Sequence, residues 1–268
     1  MFARASLGCR WWGLLFIAGL TLLFAHLPAS SQFTFNEREV KSAPSKLDKA
    51  GVWALDFRFK EPRLIKANVP GRGTRILWYM WYQVVNRTGE PRDFNPIFEL
   101  VTLDSPGVFM DEYLPTVVEE IRRREDTAGI QDIHDSYAMS RMKIPPSKAA
   151  DEAYPRYITG VAVWDGSAAD AKGRDPNVKD LSDCTRFSIF VRGLSNGYVL
   201  VDPPAPGLPP ITRYKTLQMN FKRQGERFSV DARDIVFEPP AEWIYRAAGR
   251  NRILATDKEK EKEPAKKP

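Results

Sequence analysis

The sequence predicts a mainly β protein: an antiparallel β-sandwich with a helical insertion, behind an N-terminal transmembrane or signal helix. Three observations carry that expectation. Apolar and polar residues alternate with period two, as in Trp53, Leu55, Phe57 and Phe59 set against Ala54, Asp56, Arg58 and Lys60. About eight such runs are separated by turn chemistry, without the strand–helix rhythm that builds a doubly wound sheet. One stretch, 112–126, changes period, with Leu114, Val117, Val118 and Ile121 at helical spacing and charge opposite. No internal repeat points to a propeller or solenoid.

The elements follow in order. Arg4 and Arg10 precede an apolar run from Trp11 to Leu27, and Pro28-Ala29-Ser30-Ser31 then leads into polar chain from Gln32. A positive start, an apolar centre and small residues before a polar segment are the marks of an export leader. The run is about 17 residues, between a cleaved signal and the ~20 that span a bilayer. Ala29 and Ser31 suit a cut before Gln32; the length and the Trp11-Trp12 pair suit a retained anchor. Two outcomes are therefore expected: cleavage after Ser31, or a single-pass anchor whose residues 11–27 take the membrane as partner. In the anchored case the N-terminus stays in the cytoplasm. Either way, the location is the cell envelope or beyond.

Residues 32–50 read as a linker and 51–256 as the β body. Residues 76–85, Ile-Leu-Trp-Tyr-Met-Trp-Tyr-Gln-Val-Val, are apolar on both faces and predict a central strand covered from two sides. Asn86 to Pro91 is turn chemistry, and Ile97 to Leu103 a third strand. The helical insertion is placed at 111–153. Strands resume at Tyr157–Trp164, and a polar loop fills 165–182. Phe187–Val191 and Tyr198–Val201 predict a hairpin around Asn196-Gly197. Leu217, Met219 and Phe221 mark another strand, Phe228 and Val230 a further one, Ile235–Phe237 a last short one, and 241–254 a closing helix. The Lys/Glu/Pro tail 257–268 is expected to be disordered.

Charge and cysteine exclude several functions. Of the formal +6, Arg4 and Arg10 carry two charges, and the five Lys and three Glu of 258–268 leave two more. The body is nearly balanced, so no basic domain for nucleic acid is expected. Arg122-Arg123-Arg124 is bracketed by Glu119, Glu120, Glu125 and Asp126 and reads as a solvated mixed-charge face. Cys184 is the sole cysteine after the leader, so the exported part has no internal disulfide and depends on its core. Cys184 itself reads as a small buried apolar group.

Catalytic motifs fare poorly. Gly193-Leu194-Ser195-Asn196-Gly197 matches the G-x-S-x-G elbow, but a strand leaves it where a helix is required, and His134 precedes the serine. His134, Asp132 and Asp135 are the candidate metal set, disfavoured because no ligand spacing supports them. No cofactor, metal or catalytic residue is expected. The density of Trp53, Trp78, Tyr79, Trp81, Tyr82, Phe94 and Phe98 reads mainly as core. Tyr79 and Trp81 share the face opposite Trp78 and Tyr82, and are the ring candidates for ligand contact.

The stretch Leu77–Val101 also carries a resemblance. Its aromatic strand ends in Val84-Val85-Asn86-Arg87-Thr88 and leads to Phe98-Glu99-Leu100, which resembles Ig-like sandwich modules of exported bacterial proteins. The whole chain is similar to uncharacterised exported bacterial proteins. That resemblance implies a sandwich but no activity and no site residues, and the 111–153 insertion departs from a plain seven-strand pattern. The function expected is a non-enzymatic interaction or assembly module at the outer face of the membrane. The alternative is a carbohydrate-binding sandwich using exposed aromatics; an enzyme is the third reading. The partner is then a protein or a glycan, not nucleic acid.

Overall fold

A computed structural model describes residues 37–104, 107–147, 155–166, 180–203, 205–226 and 234–247. The expected leader, most of the 165–182 loop, the Phe228–Val230 strand and the charged tail lie outside the described residues. Among the described residues, no helix is long and apolar enough to cross a membrane.

In chain order the strands are β1 (Glu37–Val40), β2 (Asp56–Lys60), β3 (Arg63–Val69), β4 (Gly73–Val85), β5 (Arg92–Asp93), β6 (Ile97–Thr102) and β7 (Val108–Met110). Helix α1 (Pro115–Glu125), β8 (Ile133–His134), α2 (Ser136–Met139) and β9 (Lys143–Ile144) follow. The rest are β10 (Tyr157–Trp164), β11 (Arg186–Arg192), β12 (Tyr198–Val201), β13 (Ile211–Arg223) and β14 (Ile235–Arg246). They make two six-stranded sheets and a two-stranded ribbon of β5 with β9.

In the first sheet the order is β1, β2, β4, β10, β8, with β3 continuing β2 along the same side of β4. Glu61-Pro62 interrupts the β2–β3 line, where proline removes a ladder donor. In the second sheet the order is β12, β13, β11, β6, β7, with β14 on the other side of β13. Among the described residues every strand pairing is antiparallel except β8 with β10, and Asn86 with Pro146 adds an isolated parallel bridge.

Period-two alternation builds the core. Phe57 and Phe59 of β2, and Trp78, Met80, Tyr82 and Val84 of β4, face Phe98, Leu100, Phe187, Ile189, Leu217, Met219 and Phe221 of the second sheet. Rings meet across the gap: Tyr82 and Phe98 at 4.8 Å, Trp78 and Phe187 at 5.3 Å. Each such side chain, fully buried, contributes about 1.5–3 kcal/mol.

The opposite face of β4 is also buried, as its sequence requires. Leu77, Tyr79 and Trp81 pack with Val117, Val118 and Ile121 of α1 and Val161 and Val163 of β10 in a second cluster. Pro115 opens α1 where its missing N–H costs nothing, and Arg122, Arg123 and Arg124 close it at the negative end of the helix dipole. Arg123 and Arg124 are exposed and Arg122 pairs with Glu119, as a solvated mixed-charge face requires, but two of the three also reach the sheet. Arg122 Nε donates to Ile133 O at 2.7 Å and Arg124 Nη1 to Leu64 O at 3.0 Å, pinning the helix to strands at both edges of the sheet.

Two further expectations are corrected. β11 and β12 do not form a hairpin; both pair with β13 on the same side, in line with one another. The last strand does not stop at Phe237. It runs to Arg246 through Pro239-Pro240, with a register irregularity opposite Gln218–Asn220 that absorbs the missing donors. That strand takes the first part of the expected 241–254 helix; 248–254 lie outside the described residues.

Candidate functional site

Tyr79 and Trp81 are not exposed rings. Each is 1% accessible, because α1 lies across their face of β4. The Tyr79 hydroxyl donates to Glu125 Oε1 at 2.7 Å, and the Lys60 ammonium stands 4.3 Å from the Trp81 ring centroid. Lys60 and Arg63 also bond Glu125, at 3.2 and 2.7 Å. Burial pushes the Glu125 carboxyl up, but the Tyr79 hydroxyl and the two cations outweigh it and hold the group below its ordinary value. These residues fasten α1 to the sheet.

His134, Asp132 and Asp135 do not converge. His134 Nε2 lies 3.3 Å from Asp132 Oδ2, but the Asp132 side chain is 83% exposed. Asp135 is spent on α2, where its Oδ1 accepts from the Ala138 N–H at 2.7 Å. Among the described residues no three His, Cys, Asp or Glu side chains gather as a metal site. His134 borders a shallow cleft of about 290 Å3 at the edge of the first sheet, with Ile130, Met142, Tyr157 and Ile158 on its walls.

Ser195 is tied into structure. Its hydroxyl donates to Trp53 O and accepts from Gly197 N at 3.1 Å. Asn196 Oδ1 accepts from Trp53 N at 2.8 Å, and Leu55 N donates to Leu194 O at 2.8 Å. Residues 193–196 thus leave the β13 ladder to hold the chain at 51–55. Gly197 is not a turn glycine with positive φ. A Cβ there would lie 2.8 Å from the Tyr245 hydroxyl and 3.1 Å from Val52 Cγ1, so close packing explains it.

The same end of the second sheet carries the exposed rings that the sequence reading passed over. Tyr198 of β12 and Tyr214 of β13 are directly opposed, hence on one face, and are 51% and 39% accessible. Leu200, two residues on, is 62% accessible. The Lys49 ammonium sits 5.9 Å from the Tyr198 ring and the Arg192 guanidinium 4.9 Å from that of Tyr214. Further along this face, Ser188 Oγ and Gln218 Nε2 donate to Asn220 Oδ1 at 2.7 and 3.1 Å. Arg246 pairs with Glu99 and covers the Phe190 ring at 3.9 Å. The signal was present in β13: Tyr214 shares its parity with Gln218 and Asn220 and opposes the core trio Leu217, Met219 and Phe221. The patch offers aromatic and aliphatic contact beside fixed hydrogen-bonding groups; it contains no nucleophile–base pair.

Beneath it lies a buried ion pair. Lys215 Nζ, 2% exposed, donates to Asp48 Oδ2 at 2.6 Å and Ala43 O at 2.7 Å, and the Tyr245 hydroxyl donates to Asp48 Oδ1 at 2.7 Å. Burial works to raise the Asp48 carboxyl, yet Lys215, the Ser45 N–H and Tyr245 hold it down; burial and Asp48 push Tyr245 up to about 12. Cys184 is inert, its thiol pushed up to about 12 by burial and by Asp104.

No family model matches this chain, and neither a curated protein nor a solved structure matches it.

Proposed function

We propose that this chain is an exported, non-enzymatic interaction module of Ig-like form, working at the outer face of the membrane and using the Tyr198–Leu200–Tyr214 patch for contact. The observation that carries the contact is the exposure of opposed rings on a polar sheet face whose supporting side chains are fixed by ion pairs and amide hydrogen bonds. The Ig-like form is supported by strand order. With β2–β3 as strand A, β4 as B, β10 as E and β8 as D, the first sheet reads A-B-E-D. With β13 as G, β11–β12 as F, β6 as C and β7 as C′, the second reads G-F-C-C′. The additions are edge strands β1 and β14 and the α1 segment between C′ and D; β8 also runs parallel to its neighbour. The positive, apolar leader supports export, as either a cleaved signal or an anchor through residues 11–27.

A photoreactive phenylalanine analogue at Tyr214, against one at the exposed Lys66 of β3, tests the contact in cells producing the full chain. An adduct specific to position 214, with the body digested by protease added to spheroplasts, is expected. Equal or no adducts remove the patch, and a protected body removes the export reading. The carbohydrate alternative passes from Tyr79 and Trp81 to Tyr198 and Tyr214, favoured by the amides beside them. Retention on polysaccharide gels that Tyr214→Ala abolishes would establish it. Mass spectrometry of the mature N-terminus separates the leader's two fates, Gln32 first meaning cleavage.

A further inference from the structure

We propose that the open edge of β12 pairs antiparallel with β12 of a second copy about a two-fold axis at Leu200, joining two second sheets into one. This deepens the interaction reading by naming the partner, and rests on it. The Lys215 N–H donates to Gly197 O at 2.8 Å, which sets the alternation of the ladder. Gly197 turns its carbonyl, and Val199 and Val201 their backbone groups, to β13, so Tyr198 and Leu200 present N–H and C=O to the other side. Residues 51–55 cover that side as far as Asn196. Among the described residues nothing pairs with Tyr198 or Leu200 there.

The other edges of the two sheets are blunted, β8 by its two-residue length and by Arg122 on its Ile133 carbonyl. β1 is Glu-Arg-Glu-Val; β3 carries Arg63 and Lys66 and gives its Leu64 carbonyl to Arg124. β14 contains Pro239-Pro240 between Glu238 and Glu242, while β7 is three residues long and runs into Asp111-Glu112. β12 is Tyr-Val-Leu-Val, without charge or proline, the kind of edge that templates another strand.

A two-fold axis requires outward-facing residues to meet one another. The register with Leu200 against Leu200 of the second copy sets Tyr198 against Asp202 of that copy. Lys49, held over the Tyr198 ring, then faces that Asp202, twice by symmetry. Neither Lys49 nor Asp202 has an ion pair among the described residues. The sequence Pro203-Pro204 follows directly, and its fixed backbone angles break the strand before it reaches residues 51–55 of the other copy. So short an overlap falls well below the ~1,600 Å2 of a standard interface, and a dissociation constant of about 1–100 µM is expected.

The test uses the full chain carrying Cys9→Ser, in detergent, by sedimentation equilibrium up to about 100 µM, the weak end of that range. A monomer–dimer equilibrium is expected, weakened at least tenfold, or about 1.4 kcal/mol, by Leu200→Lys. Lys49→Asp and Asp202→Lys should each weaken it, and the double exchange should restore it. Leu200→Cys should cross-link two copies on oxidation where Val199→Cys does not. Circular dichroism melts confirm that these surface variants fold. A chain that stays monomeric, or a dimer indifferent to Leu200→Lys, overturns the pairing. If a Tyr214 adduct with another molecule persists in that case, only the second copy as partner fails; loss of both sinks the patch itself.

Discussion

Gly160 stands in the middle of β10, where a Cβ would lie 2.4 Å from the Tyr82 ring and 2.5 Å from its hydroxyl. The ring has nowhere to go, packed as it is on Phe57 at 5.4 Å and Phe98 at 4.8 Å. Gly160→Ala should therefore cost about 1–3 kcal/mol by overpacking, read as a lower urea midpoint with unchanged slope. An unchanged midpoint would show that the Tyr82 ring can shift. Residue parity was legible in advance: the inward set Trp78, Tyr82, Phe98 and the outward Tyr214 follow from period two alone. The reason for Gly160 or Gly197 was not, because the atoms that crowd them belong to strands distant in sequence.

At the scale of elements, α1 was legible as an amphipathic helix, but its landing place was not. Periodicity shows that a face of β4 is apolar; it does not say whether a helix or a ligand covers it, and so Tyr79 and Trp81 were misplaced. Glu125 makes the docking measurable. Its carboxyl is held below its ordinary value, so it adds stability above the unfolded carboxyl pKa of about 4.3 that disappears as pH falls through the lower folded value. The melting temperature should fall on acidification below about pH 4, and Glu125→Gln should show a smaller fall. At neutral pH the same variant leaves Lys60 and Arg63 without their carboxylate and should lose about 3 kcal/mol. Equal acid-side slopes in the two proteins would mean that other carboxylates, such as Asp48 and Asp104, dominate. Pro239-Pro240 is a strong stop signal in the sequence; at a sheet edge, opposite an irregular stretch of ladder, it is tolerated within β14.

For the whole molecule, the sandwich class and most strand positions came from alternation and turn residues, with β10 and β12 read at their observed limits. Which strands neighbour each other did not, since β11 and β12 follow in sequence yet never pair. Nor was the fastening of residues 41–55 across the end of the second sheet. Lys215→Met should remove the cation that Asp48 and the Ala43 carbonyl share, costing about 3 kcal/mol. Faster amide exchange at residues 42–53, with β4 unaffected, is the expected signature; uniform loosening of the whole body would contradict it.

That fastening also sets a timetable. Trp243 Nε1 donates to Lys41 O at 3.0 Å and Tyr245 reaches Asp48, so residues near the start of the described chain wait for the last described strand to be made. A chain exported in the order of its synthesis would deliver the 41–55 stretch early and its anchoring partners late. Threading would be complete, or nearly so, before the two ends lock, and any ribosome that stopped before β14 would release a body with its opening segment loose.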